Sequence, residues 1–288
     1  MTDTSLYADG DRTAIRIERR LGHPPEKVWR ALTEPSHLNQ WFPFDVEPEL
    51  VVGGAVRFAE KGEGQTLSGK ITELDPPRVI AYTWEEDHLR WEVRPSDGGS
   101  LLVLTHTVAD HYGSASFATG WHACIDGMLD VLAGRPVADP DRAAMDAGHE
   151  RFIGVLGLDA GTVDNTGEGW RVRFERQLVR PAEAAWAALV GPSVPVVGGP
   201  VPDGCLVAEF AAGPVAESRA GEALAYDWLF DGAPAGGVRI ELGQGTGHGA
   251  RLVLTQTGPA DRTAERDAAL KLWRDRIERL AADLAVGS

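Results

Sequence analysis

The chain has 288 residues, 43% of them hydrophobic and 25% charged, which is material for two ordinary domains, each with its own core. Its 28 basic and 43 acidic residues leave a net charge of −15, which disfavours attraction to nucleic acid or to an anionic membrane surface. The two cysteines, Cys124 and Cys205, supply neither a disulfide framework nor a CxxC motif, and both are expected in apolar cores.

Pro, Gly or charge interrupts every apolar stretch within about ten residues, short of the roughly 20 needed to span a bilayer, so no membrane insertion is expected. The opening MTDTSLYADGDRT is polar and acidic, without the basic start and apolar core of a secretory signal. A soluble, cytoplasmic protein is the expectation.

In chain order, the alternating IRIERRL from Ile15 predicts a strand, and PPEKVWRAL predicts a short helix started by Pro, with Val28, Trp29 and Leu32 on one face. The runs AVRF, GKITEL, RVIAYTW, HLRWEVR and SLLVLTHTV, separated by GEG, DPP and DGG, read as an antiparallel meander. FATGWHACIDGMLDVLAG then places Trp121, Ile125, Met128 and Leu132 at helical spacing, the stripe of a helix packed on a sheet. A further helix is expected from about Pro140 to Val155, followed by a Gly/Asp/Asn-rich flexible tail.

The second half repeats the first. VRFERQLVRPAEAAWAAL from Val172 lies over IRIERRLGHPPEKVWRAL from Ile15 without a gap, matching Arg16, Glu18, Arg19, Leu21, Pro24, Glu26, Trp29, Ala31 and Leu32. ALAYDW then echoes VIAYTW, LVLTQT echoes LVLTHT, and a helix carrying Trp273 or Trp121 follows. A period near 150 residues is too long for a solenoid, whose units run about 20 to 50 residues. Two related α+β domains are therefore expected at 12–136 and 169–286, joined by a linker at 137–168 with one helix.

The segments PPEKVWRALTEPSHLNQWF, VVGGAVRF, ITELDPPRVIAYTW, LVLTH and GWHACIDGML resemble the SRPBCC (START-like, helix-grip) superfamily, in its activator-of-heat-shock-protein-ATPase-like (AHSA-type) branch. The resemblance spans essentially the whole first domain and only part of the second. It implies an α+β fold in which a curved antiparallel sheet grips a long C-terminal helix and leaves a cavity between them.

Comparing the repeats orients the strands. Arg251 stands opposite Leu101 and Asp227 opposite Thr83, which puts Leu101, Val103 and Thr105 outside and leaves Leu102, Leu104 and His106, with Ile80, Tyr82 and Trp84, on the inner face. In HLRWEVR the charges leave Leu89, Trp91 and Val93 inside. The resulting candidate ligand lining is Trp41, Phe44, Tyr82, Trp84, Trp91, His106, Trp121, Ile125 and Met128: apolar walls with a few convergent polar groups, the composition of a ligand site. Taken singly, each aromatic reads more readily as core.

Gln256 occupies the place of His106 in the second repeat. It can hydrogen-bond but not exchange protons near neutral pH, so the position reads as recognition. The second repeat also replaces EPSHLNQWFPFDVEPELVVGG with GPSVPVVGGPVPDG, losing Trp41, Phe42 and Phe44, and is read as the degenerate copy.

Other motifs carry bland readings. His122 and Asp126 have a metal-compatible spacing without a third ligand and read as a solvated helix face. GQGTGHG is followed by a strand and lacks GK[ST], so it is a hairpin turn, not a phosphate loop. No GxSxG elbow supports a serine hydrolase. EEDH (Glu85–His88) could pair carboxylates but reads as a solvated turn, and Arg19 and Arg176 as structural ion pairs or strand-end arginines reaching water.

The function expected is binding of a small apolar molecule in the first domain, a lipid or a polyketide- or isoprenoid-like metabolite, by a carrier or sensor without enzymatic activity. No catalytic residue, metal or cofactor is assigned. The alternatives are a cyclase- or aromatase-like enzyme using His106 or Tyr82, and a protein-interaction or co-chaperone-like module. A homodimer or another protein partner is left open.

Overall fold

The computed structural model describes residues 2–62, 64–167, 169–247 and 249–286. Backbone contacts divide the chain into two units, residues 1–156 and 157–288.

The first unit starts with strand β1 (Thr2–Asp9), which turns back at Gly10 (φ +66°) into β2 (Arg12–Leu21). Ile15 and Ile17 of β2 are buried, while Arg16 and Glu18 pair with each other at 2.6 Å. Pro25 starts α1 (Pro25–Thr33) and Pro35 starts α2 (Pro35–Trp41); in both, the missing proline N–H falls where a helix has no internal acceptor to offer. The meander follows as β3 (Phe44–Pro48), β4 (Ala55–Glu60), β5 (Thr66–Asp75), β6 (Val79–Trp84), β7 (Asp87–Ser96) and β8 (Gly99–Val108). A single antiparallel sheet results, in the order β1-β2-β8-β7-β6-β5-β4-β3. Asp110 caps a short 3-10 turn leading into α3 (Ser114–Leu132), and α4 (Arg142–Leu156) follows.

Helix α3 lies on the sheet with Trp121, Ile125, Met128 and Leu132 buried, and Arg19 of β2 holds it through Asp126 at 2.5 Å. The inner rows Leu102-Leu104-His106 and Leu89-Trp91-Val93 are all buried. The outer row departs from expectation, because Val103 is only 1% exposed. Its cross-strand neighbours are Glu18 and Glu92. These belong to an ion-pair lattice in which Arg90 joins Glu73 at 2.7 Å and Glu92 at 3.0 Å, and Arg94 joins Glu92 at 2.9 Å. The aliphatic stems of that lattice cover the valine.

Two boundaries also differ from the sequence reading. The polar opening segment is β1, an edge strand in register with β2 from Thr2↔Arg19 to Asp9↔Arg12; its mostly exposed side chains hide the strand period. Within the segment read as a linker, α4 packs on α3 and β1 through buried Phe152 and Ile153, and the expected flexible tail contains β9 (Thr162–Thr166), paired with β10 (Gly169–Gln177).

The second unit continues with α5 (Ala182–Val190), β11 (Ala211–Arg219), β12 (Ala223–Phe230), β13 (Ala233–Gln244), β14 (Ala250–Gly258) and α6 (Thr263–Val286). Its sheet runs β9-β10-β14-β13-β12-β11, the order of β1-β2-β8-β7-β6-β5 in the first unit. Among the described residues, nothing corresponds to α2, β3 and β4. One turn is common to both units. Gly53 N–H donates to Ile71 O (2.8 Å) and Gly54 N–H to Val51 O (2.8 Å), while Gly198 and Gly199 repeat this with Val215 O (2.8 Å) and Val196 O (2.9 Å). Gly53 and Gly198 share φ +84°, a left-handed conformation that glycine adopts without strain. The VVGG turn is thus retained in the segment that the sequence comparison treated as replaced. GQGTGHG joins β13 to β14 as a turn, with His248 outside the described residues.

Candidate functional site

In the first unit, the N-terminal half of α3 stands off the sheet over a cavity of about 450 Å³. The cause is local. Ser116 and Gly120 are small, and a Cβ placed on Gly120 would meet nothing within 4 Å. Phe117, Gly120, Trp121 and Cys124, spaced i, i+3, i+4, i+7, face the space from the helix. Pro43, Phe44, Leu67, Trp84, Glu85, Asp87 and His106 close it from the meander side.

The polar groups form one chain. His106, 1% exposed on β8, faces Asp87 Oδ2 through Nε2 at 3.1 Å. Its other nitrogen, Nδ1, accepts the indole N–H of Trp121 at 3.0 Å. An indole N–H can only donate, so the pattern assigns the imidazole proton to Nε2, pointing at Asp87. Asp87 is also held by Arg12, at 3.0 Å from Oδ1. Both imidazole nitrogens are therefore occupied, and the ring presents no free basic nitrogen to the cavity. His106 is a satisfied, positioned group that orients Trp121 and Asp87.

Four of the nine residues singled out from the sequence line the cavity: Phe44, Trp84, His106 and Trp121. Trp41, Tyr82, Trp91, Ile125 and Met128 are in the core beside it. Trp41 donates its indole N–H to Ala31 O at 2.9 Å and meets Trp91 edge-on at 5.7 Å. Trp91 donates to Tyr82 Oη at 3.0 Å, and burial pushes the Tyr82 hydroxyl well above its usual pKa. Tyr82 is thereby poorly placed to exchange protons with anything in the cavity.

Asp87 belongs to the segment read as a solvated turn; the pairing Trp84↔Asp87 brings it to the cavity. Phe117 and Gly120 lie beside the core stripe through Trp121, which dominates the helix pattern in the sequence. Their signal was the second i, i+3, i+4, i+7 series. The Cys124 thiol, in the cavity wall, is pushed up to about 11 by burial, with Lys61 opposing, so it is a weak nucleophile at neutral pH.

His122 is not on a solvated face. It stacks on Phe152 of α4 at 4.8 Å and bonds Thr4 Oγ1 at 2.9 Å, while Asp126 is engaged by Arg19. Among the described residues, no group of three or more His, Cys, Asp or Glu side chains could hold a metal ion. No helix among them is long and apolar enough to cross a membrane.

The corresponding residues of the second unit are packed against one another. Gln256, in the place of His106, is fully buried and accepts the Trp273 indole N–H. Trp228, in the place of Trp84, is 1% exposed, with Phe210 edge-on at 5.2 Å and Trp170 stacked at 6.1 Å. The helix anchor is kept, since buried Arg176 pairs with Glu278 at 2.8 Å, five residues after Trp273 as Asp126 follows Trp121.

Several solved structures resemble the chain. CalU16 from Micromonospora echinospora shows 22% identity, covering 55% of this chain and 99% of that one, with a TM-score of 0.45. The conserved protein of unknown function EF2215 from Enterococcus faecalis shows 19% identity over 53% and 91%, with a TM-score of 0.44, and MLL2253 from Mesorhizobium loti 21% over 42% and 97%, with 0.39. No curated protein matches the chain in sequence. Residues 22–133, from the end of β2 through α3, match the family described as Activator of Hsp90 ATPase homolog 1-like protein, and the first unit resembles that family in its helix-grip fold, a sheet packed on a long helix.

Proposed function

We propose that the first unit binds one small, largely apolar molecule between α3 and the sheet, as a carrier or sensor. The observation that carries this reading is the aromatic-walled cavity of about 450 Å³ with the Asp87–His106–Trp121 chain at its edge. That volume lies in the range of small-molecule sites, about 300–1,000 Å³. An acid–base enzyme is less well supported, because His106 has both nitrogens engaged and Tyr82 lies outside the lining. We read the second unit as a duplicated copy whose cavity has closed around Trp228 and Trp273, leaving a scaffold.

Fluorescence titration with apolar metabolites tests the reading, since Trp84 and Trp121 stand in the wall. A saturable change that weakens at least roughly tenfold in Trp84→Ala is expected, as for loss of a large buried contact. Titration curves that Trp84→Ala leaves unchanged would place the binding elsewhere.

A further inference from the structure

The cavity has an electrostatic sense. Its four ring walls, Phe44, Trp84, Phe117 and Trp121, meet at steep angles: Phe44 and Trp84 lie 5.2 Å apart at 81°, Trp84 and Trp121 6.2 Å apart at 70°. Indole and phenyl faces carry negative quadrupole charge and attract cations. Glu85 and Asp87 share the same lining. Arg12 and the His106 Nε2–H already face Asp87, and the Trp121 N–H faces His106, while the buried Arg12 Nε has no hydrogen-bond partner among the described residues.

Glu85 is an exposed carboxylate of the cavity lining. Among the described residues it makes no ion pair, and it sits at φ +52°, a left-handed conformation that costs a non-glycine residue about 1 kcal/mol or more. The matching hairpin of the second unit places Asp231 and Gly232 there, residue types that accept this conformation readily. Two basic groups bear on the site: Arg12, bound to Asp87, and Lys61, which acts on Cys124.

From the rings and the free carboxylate together, we infer that the ligand of this cavity is an amine: an apolar, preferably aromatic body carrying a protonated nitrogen, held against Trp84 and Trp121 and facing Glu85. This rests on the ligand-binding reading above and narrows it. A fatty acid or other carboxylate would bring its negative charge beside Glu85 and Asp87 and against the negative faces of the rings.

Three matched probes test it, namely 2-naphthylethylamine, 2-naphthylethanol and 2-naphthylacetate, titrated by tryptophan fluorescence on the full chain at pH 7. The amine should bind at least roughly tenfold tighter than the carboxylate, with the alcohol between, a difference in the range of a partly desolvated cation–π contact with a nearby charge. Glu85→Gln should remove most of that preference while leaving the alcohol's affinity unchanged. Glu86→Gln, one residue along the same turn and outside the lining, should keep it. Equal or tighter binding of the carboxylate overturns the inference, as does a preference that survives Glu85→Gln. If the alcohol binds without any charge preference, only this inference fails. If no probe binds, the ligand-binding reading fails with it.

Discussion

Replacing Gly120 separates a cavity from a core more cleanly than any truncation. Glycine inside a helix costs about 0.8–1.0 kcal/mol relative to alanine, and at Gly120 an added Cβ meets nothing within 4 Å. Gly120→Ala should therefore stabilise the first unit by close to that amount, raising its unfolding midpoint by about 2–4 °C. Gly120→Leu keeps most of the helix gain and projects a four-carbon side chain into a space of about 450 Å³, adding roughly 1 kcal/mol from partial burial. The leucine variant should thus be more stable than the parent and yet take up less ligand. Thermal unfolding gives the first number, and uptake of the neutral apolar dye Nile red gives the second, with affinity expected to fall at least roughly tenfold for Leu and little for Ala. Destabilisation of Gly120→Leu by 1–3 kcal/mol, the usual cost of overpacking, would refute the open cavity. Unchanged dye uptake in a stable Leu variant would refute its role as the binding site.

Other substitutions probe the supporting structure. His106→Gln reproduces the Gln256–Trp273 contact of the second unit and should leave stability and dye binding nearly unchanged, whereas His106→Leu strands the Trp121 N–H and should cost about 1–3 kcal/mol by denaturant titration. Glu278→Ala takes the Glu278 carboxylate away from the Arg176 guanidinium, 2% exposed, and should destabilise the second unit by up to about 3 kcal/mol; Asp126→Ala, removing a more exposed partner, should cost about 1 kcal/mol or less. Burial first, then Arg151 and Arg19, hold the His122 pKa at about 4, below its ordinary 6.5. The unfolded chain therefore binds the proton first, so stability is full above pH 6.5 and falls as pH drops from 6.5 to about 4. His122→Leu should flatten that stretch of the stability–pH curve, and an unchanged slope would contradict the assignment.

Much of the architecture was legible because both repeats write it twice. The alternation in LVLTHT and LVLTQT marks the inner row, and the matched Arg19 and Arg176 read as ion pairs or strand-end arginines, of which the structure shows ion pairs with Asp126 and Glu278. What stayed hidden depends on distance in space. Val103 is buried by charged neighbours on two other strands, which its own strand's pattern cannot convey. Asp87 reads as a polar turn residue until hairpin pairing carries it to His106. The cavity owes its existence to small side chains, Ser116 and Gly120, while a search for large aromatics finds the filled core as readily as the space beside it. Trp41 and Trp91 have the same composition signal as Trp84 and Trp121, and only packing tells them apart.

The most direct test is mass spectrometry of the intact chain, purified gently from its own host, comparing native with denatured mass. One small, apolar, nitrogen-bearing molecule per chain is expected, retained natively, released on denaturation and absent from Gly120→Leu. Identical native and denatured masses, together with no uptake of Nile red by the parent protein, would contradict it.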